Sequence, residues 1–263
     1  MSRVSVVIVT RNRVRQLRES LESLGTEHQI VVVDNGTEGT LGSLEETFPH
    51  VRWIRLPKNF GLTKALNLGL RSAEGEFVLF LHDDTRIPGN GVSELADVLE
   101  QHVELGAVAP LLVDAMGNPT PQVCTHPPKA ELVPVAGNSD IDVESVTGAA
   151  LMVRGFFLKA MRQIDERYGN FGSDLDLCAQ VIRRANKKIR VLQSVRAVHS
   201  ASPAQSALLD ADAAIGTAVY LAKYQGAAAG LKYRVAAILG SIFTFRLVLA
   251  KHLLSNQKLD GTQ

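Results

Sequence analysis

Cysteine is scarce in this chain: Cys124 and Cys178 are the only two among 263 residues. No C-x-x-C or Cys/His zinc spacing accompanies them, so neither a disulfide framework nor a zinc site is indicated, and a reducing compartment fits. An excess of one charge is also missing. Lys and Arg number 28 against 27 Asp and Glu, a formal net charge of +1 that argues against a broad nucleic-acid footprint. Aromatic residues make up only 5%, too few for base-stacking platforms. No charge-free apolar run reaches the roughly 20 residues of a transmembrane span. The opening apolar run stops at Thr10-Arg11 with no small-residue cleavage site, so it does not read as a signal peptide. The glycine signatures of a nicotinamide-binding unit, a P-loop and a hydrolase nucleophile elbow are all absent.

What is present is apolar and ordered. Hydrophobic residues make up 46% of the chain, which excludes a disordered or collagen-like polymer and suits one generous α/β domain or a domain with an appendage. Val4–Thr10, Ile30–Asp34, Val51–Leu56 and Phe77–Leu81 are β-branched or apolar runs, the pattern of strands buried on both faces. Helical spacing separates them at Arg13–Leu24, Leu41–Phe48 and Leu62–Arg71. This alternation predicts a mostly parallel sheet flanked by helices. Further on, Val92–Val103 predicts a helix, Ala107–Val113 and Val143–Val153 predict strands, and the Pro- and Gly-rich stretch Gly117–Ser139 reads as a long loop. Asp174–Ala185 predicts a helix and Lys188–Val195 a late strand.

In parallel sheets, ligands gather where the strands finish. Here those ends are Thr10-Arg11-Asn12, Asp34-Asn35-Gly36, Pro57-Lys58-Asn59 and His82-Asp83-Asp84. The carboxylates of the last group suit a hard divalent cation bridging diphosphate oxygens, and they equally suit a plain turn with solvated acids. Asp34 suits the ring N–H of a pyrimidine, while Asn35-Gly36 alone also explains a turn. Asn59, Gly61 and Lys64 offer close backbone approach and a cation for phosphate; helix capping is the competing reading. Ser173-Asp174 opens a helix, so Asp174 is either a general base or simply a carboxylate favoured by the helix dipole.

Taken in order, these segments resemble the family-2 glycosyltransferases of the GT-A fold. Val6-Val7-Ile8-Val9-Thr10-Arg11-Asn12 looks like that family's first strand, and Val31-Val32-Val33-Asp34-Asn35-Gly36-Thr37 like its second. Asn59-Phe60-Gly61 through Asn67 and Gly69 is similar to its N-x-G helix, and Phe77 through Thr85 to its metal-binding strand end. Thr147-Gly148 through Arg154 resembles the acceptor-side strand, and Ile164 through Cys178 the block carrying the base. The resemblance spans residues 4–200 and comes nearest to the rhamnosyl- and galactofuranosyltransferase-like members that build bacterial surface glycans.

It implies an inverting glycosyltransferase working in cell-wall or surface-polysaccharide synthesis, taking a sugar such as rhamnose from a nucleoside-diphosphate sugar to a glycan or lipid-linked acceptor. Asp174 would be the catalytic base. Asp84 and His199 would hold Mg²⁺ or Mn²⁺. Thr10, Arg11, Asn12, Asp34, Asn35, Asn59, Gly61, Lys64, Asp83 and Gly148 would bind the donor. Two positions depart from the family pattern: His82 stands where an acid or Asn is usual, and Ser173 where Glu is usual. Those departures motivate an alternative, a non-catalytic nucleotide-sugar-binding or membrane-docked scaffold.

The expected organisation is a catalytic domain over 1–200, with a nucleotide-sugar half (1–110) and an acceptor half (111–200), and then a helical extension over 201–263. Helices are expected at Pro203–Tyr224 and Leu231–Leu254. On a helical wheel the second places Arg234, Ser241, Thr244, Lys251 and His252 on one side and Val235, Ile238, Leu239, Ile242, Leu249 and Leu253 on the other. That pattern suits a membrane surface, packing on the catalytic domain, or a second subunit in a homodimer. A cytoplasmic protein, free or at the inner face of the membrane, is the expected location.

Overall fold

The computed structural model of the chain describes residues 2–39, 41–124, 131–200 and 206–255. Its first half alternates β1 (Val4–Thr10), α1 (Val14–Leu24), β2 (Gln29–Asp34), α2 (Gly42–Thr47), β3 (Arg52–Arg55), α3 (Leu62–Leu70) and β4 (Phe77–His82). These four strands pair in parallel in the order β3-β2-β1-β4. Strict period-two alternation divides their side chains. Val4, Val6 and Ile8 join Phe77, Leu79 and Leu81 in one core, under α1, α2 and α4 (Gly91–Gln101). Val7, Val78 and Phe80 face the other core, under α3. Gly69 lets α3 come close to β1, since a Cβ there would lie 2.6 Å from Val7 Cγ1.

The second half is less regular. β5 (Thr85–Arg86) precedes α4, and β6 (Leu105–Val113) comes after it. Then come β7 (Pro121–Cys124), β8 (Leu132–Pro134), β9 (Ile141–Val143), β10 (Ala150–Arg154), α5 (Gly155–Met161), α6 (Ser173–Arg183) and β11 (Lys188–His199). The full sheet runs β3-β2-β1-β4-β10-β6-β11-β5, with β9 also on β11. β10 lies antiparallel to both β4 and β6, so it carries the chain back across the middle of the sheet. The stretch expected as a loop over 117–139 contains the antiparallel pair β7–β8, and of the strand expected at 143–153 only Val143, as the end of β9, and 150–153, in β10, join the main sheet. Pro127 and Pro128 lie outside the described residues.

α7 (Ala207–Gln225), α8 (Ala227–Phe243) and α9 (Leu247–Ser255) form a helical cluster after the sheet. Ser206 caps α7 by accepting the Leu209 N–H at 3.2 Å; the expected start at Pro203 lies outside the described residues. The single helix expected over 231–254 is two helices. Phe245 adopts φ +55°, and the Thr244 hydroxyl turns back on the Gly240 carbonyl, which ends α8 before α9 begins.

Candidate active site

Parallel register brings the polar strand ends onto one rim. Thr10 lies beside Asp34, and Val9 beside His82. The Thr10 hydroxyl donates to Asp83 Oδ2 at 2.8 Å. Arg13, just before α1, places Nη1 2.6 Å from Asp84 Oδ2 and 3.5 Å from Asp83 Oδ1. Burial pushes the Asp83 carboxyl up to about 6, against the opposing pull of Thr10 and Arg13.

The short β5–β11 pairing sets His199 opposite Thr85, next to Asp84, and the Ser200 N–H donates to the Asp84 carbonyl at 3.1 Å. His82, Asp84 and His199 thereby offer three ligand atoms within 4.8 Å of one another. Burial pushes His82 down to about 4, so its imidazole is neutral at physiological pH with a free lone pair. Burial works to raise Asp84, yet His199, His82 and Arg13 outweigh it and hold the carboxylate below its ordinary range. Asp84 Oδ1 is buried, 3.4 Å from His199 Nε2, and accepts no hydrogen bond. A buried anionic oxygen left unbonded between two imidazoles fits a divalent cation. The sequence left the role of His82 open; the geometry groups it with Asp84 and His199.

A cavity of about 430 Å³ opens beside this group. Thr10, Arg11, Arg13, Asn35, Asn59 and Asp83 line it, and the start of α7 contributes Ser206, Leu208 and Leu209. Its side is held by an amide relay. Asn35 Nδ2 donates to Asn59 Oδ1 at 2.9 Å, which also accepts the Gly61 N–H, while Asn35 Oδ1 accepts the Phe60 N–H. Gly36 (φ +79°) permits this closeness, because a Cβ there would strike the Lys58 backbone. Asp34 Oδ1 accepts the Thr37 N–H at 2.9 Å, and Asn12 Oδ1 accepts the Glu38 N–H at 2.8 Å. Asp34, Gly61 and Asn12 thus shape the rim without lining the cavity. Lys64 is exposed on α3, between the buried Thr63 and Ala65, and lines neither this cavity nor the next.

Asp174 sits on the second residue of α6, behind Gly172 (φ +94°). Its Oδ2 accepts the Gly148 N–H at 3.1 Å and its Oδ1 the Leu175 N–H at 2.8 Å. Burial raises its pKa and these hydrogen bonds moderate the rise. The β4–β10 pairing, with the His82 N–H on the Ala149 carbonyl at 3.0 Å, brings Gly148 between His82 and Asp174. Asp174 opens into a second cavity of about 470 Å³. Leu62, Leu66, Phe80, Leu132, Phe171 and Leu175 make much of its wall, with Tyr220 of α7 and Tyr233 of α8. Val9, Leu62, His82 and Asn170 belong to both cavities, so the two spaces adjoin at His82.

Sequence reading missed the residues that hold these walls together. Asp176, fully buried, accepts from the Tyr224 hydroxyl at 2.8 Å and from Gln180 Nε2 at 2.9 Å, with Lys223 Nζ at 2.7 Å, tying α6 to α7. Asn170 donates its N–H to Asp212 of α7 and accepts the Leu62 N–H. The only sequence signal for this anchor was a second acid two residues after Asp174. Arg13, three residues beyond the end of β1, was missed as well.

The chain matches the family model "Glycosyl transferase family 2" over residues 5–154. It is 33% identical over 112 residues to the poly(ribitol-phosphate) β-N-acetylglucosaminyltransferase TarS of Staphylococcus aureus (strain Mu50), covering 39% of this chain and 20% of that one. It is 29% identical over 104 residues to YwdF, an uncharacterized glycosyltransferase of Bacillus subtilis (strain 168), covering 37% and 38%. These matches span well under half the length of either relative. Among solved structures, TarS residues 1–349 in complex with UDP superimposes with a TM-score of 0.59 at 21% identity, over 84% of this chain and 65% of that one. GalNAc-T7 with UDP, GalNAc and Mn²⁺ gives 0.61 at 16% identity, over 74% and 43%. The fold is that of the GT-A glycosyltransferases. With more than half its length matched, from the first strand through β10, the chain belongs to glycosyl transferase family 2.

Proposed function

We propose that the protein is an inverting glycosyltransferase that uses a divalent cation and moves a sugar from a nucleoside-diphosphate sugar to a lipid-linked glycan acceptor in cell-surface polysaccharide synthesis. One observation carries this reading: His82, which groups with Asp84 and His199, lines both of two adjoining cavities, and Asp174 lines one of them. A donor whose diphosphate lies at the rim would present its anomeric carbon toward Asp174.

In this reading Asp174 takes the proton of the acceptor hydroxyl. The hydroxyl oxygen forms a bond to the anomeric carbon from the face opposite the leaving group, which inverts the centre. The bond from that carbon to the phosphate oxygen breaks, and its electron pair leaves with the nucleoside diphosphate. The Gly148 and Leu175 N–H groups orient the carboxylate, and its raised pKa makes it a better proton acceptor than an ordinary aspartate. Arg13 is placed to neutralise charge at the rim. A bound cation supplies charge neutralisation for the departing diphosphate. Two imidazoles beside one carboxylate are a donor set that favours Mn²⁺ over Mg²⁺, which prefers oxygen ligands and retained water.

The apolar wall of the second cavity supports an acceptor with a hydrocarbon part rather than a free glycan alone. Both solved neighbours hold UDP, which supports a uridine nucleotide with its base near Asp34. Rhamnose is the sugar that the motif resemblance suggests, and the inner face of the cytoplasmic membrane is the proposed place of action.

The test is Asp174→Asn assayed for transfer, with nucleotide binding measured alongside. The expected result is a turnover loss of roughly 10³-fold with nucleotide affinity retained. Full transfer by the variant would overturn the base assignment. Nucleotide binding without turnover by the wild type against lipid-linked acceptor pools would favour the scaffold alternative.

A further inference from the structure

We infer that the outer face of α8 and α9 docks on an anionic lipid bilayer. The inference rests on the proposed function only for its purpose, since a lipid-linked acceptor lies at a membrane.

In the fold the wheel drawn from sequence is divided: Ile238, Leu249 and Leu253 of its apolar side face inward, while the rest of that side on α8 faces outward. The polar side of α8 faces the protein: Ser241 is buried, and Arg234 donates to the Leu253 carbonyl of α9 at 2.8 Å. Apart from Ile238, the apolar side of α8 faces outward. Leu231, Val235, Leu239 and Ile242 keep helical spacing along one stripe, and all are exposed. Phe243 and Phe245, at the turn into α9, are 89% and 87% exposed. α9 continues the pattern, burying Leu249, Ala250 and Leu253 while exposing Leu247, Val248 and Leu254. A soluble surface does not ordinarily carry so many neighbouring exposed apolar side chains, so this face has an occupant.

Charge identifies the occupant. Residues 227–255 contain Lys232, Arg234, Arg246 and Lys251 and not one Asp or Glu. Arg246 is engaged by Asp210 and Arg234 is turned inward, while Lys232 and Lys251 are exposed beside the apolar stripe and within the apolar face of α9. Apolar side chains flanked by exposed lysines, with no acid among them, complement acyl chains beneath anionic headgroups. Among the described residues no helix is long and apolar enough to cross a membrane, so the helices would lie on the surface. The side of α8 away from the stripe carries Tyr233, which lines the cavity at Asp174. One helix therefore separates lipid from the proposed acceptor site.

The full chain is sedimented with vesicles of phosphatidylcholine alone and with vesicles containing phosphatidylglycerol. Binding to the anionic vesicles is expected, weakened about fivefold by Lys232→Gln and again by Lys251→Gln. Leu239→Ser with Phe243→Ser is expected to abolish binding while leaving the melting temperature in place, since both side chains are exposed. Absent or equal binding to the two vesicle types would overturn the inference. So would a dimer in analytical ultracentrifugation that disappears in the double serine variant, which would assign the face to a second copy. A melting shift on adding UDP with Mn²⁺ reports the donor site separately. Vesicle binding without that shift would leave the docking face standing and remove the transferase reading.

Discussion

The two cavities meet at one imidazole, yet they are built in opposite ways. The rim side is polar, crossed by charge, and made largely of residues at or within three steps of a strand end: Thr10, Arg13, Asn35 and Asp83. Parallel register sets the positions of all but Arg13, which stands at the start of α1. The Asp174 side is apolar and assembled from distant parts of the chain, including Gly148, the 170–175 segment, α7 and α8. The rim draws its polar groups from adjacent strands, whereas the Asp174 cavity is walled by loops and helices added around the sheet. Substitutions should therefore separate the two sides.

The largest separation is expected from Asp174→Asn, whose roughly 10³-fold loss of turnover should leave Mn²⁺ affinity unchanged by calorimetry. His199→Ala is the converse. Losing a ligand should lower Mn²⁺ affinity by about 100-fold or more, while the apolar cavity keeps its affinity for acceptor. Equal effects of both variants on metal affinity would break the comparison.

Asp176→Ala tests what holds the acceptor wall. It strips the Lys223 ammonium and the Tyr224 hydroxyl of a buried partner, and should cost about 3 kcal/mol in chemical denaturation. Acceptor affinity should fall with it, and nucleotide binding should change little in the protein that remains folded.

Asp83 gives the rim a pH signature. Burial raises its carboxyl to about 6, so the folded state holds that proton more tightly than the unfolded chain. Its contribution is fully present below the unfolded value near 4 and is lost as pH rises through about 6. The expected loss is roughly 1–3 kcal/mol, set against His82, whose lowered pKa acts in the opposite sense. Melting of the cation-free wild type against Asp83→Asn, between pH 4 and 7, isolates the Asp83 part. A constant difference across that range would show that the carboxyl is not strained by burial. The smallest effect is expected for Lys64→Ala, less than about twofold on nucleotide affinity, because exposed charges beyond the cavity are screened by salt.

The legibility of the sequence divides along the same line. β-branched runs ending in polar tripeptides exposed the rim, because a strand buried on both faces leaves a local signature. Asp84 was readable for that reason, and His199 through the family resemblance. The β5–β11 pairing that unites them was not readable, since Thr85-Arg86 is too short to show a period. Nor was the orientation of α8. A wheel gives two faces but not which one meets the protein, and the inward turn of Arg234 depends on a carbonyl 19 residues away. The walls supplied by Tyr220 and Tyr233 have no local pattern of any kind.

That two-residue ladder ties the His82–Asp84–His199 group to a briefly paired edge of the sheet. His199 is set opposite Thr85 where Val198 and His199 meet Arg86 and Thr85 at the edge of the sheet, with Val198 also paired to Val113 of β6 on the inner side. Edge pairings this brief open far more often than the interior strands around them. On warming, amide exchange at Thr85 and Arg86 should accelerate while Val7 and Leu79 stay protected, and a cation held by this group would then be released below the melting point.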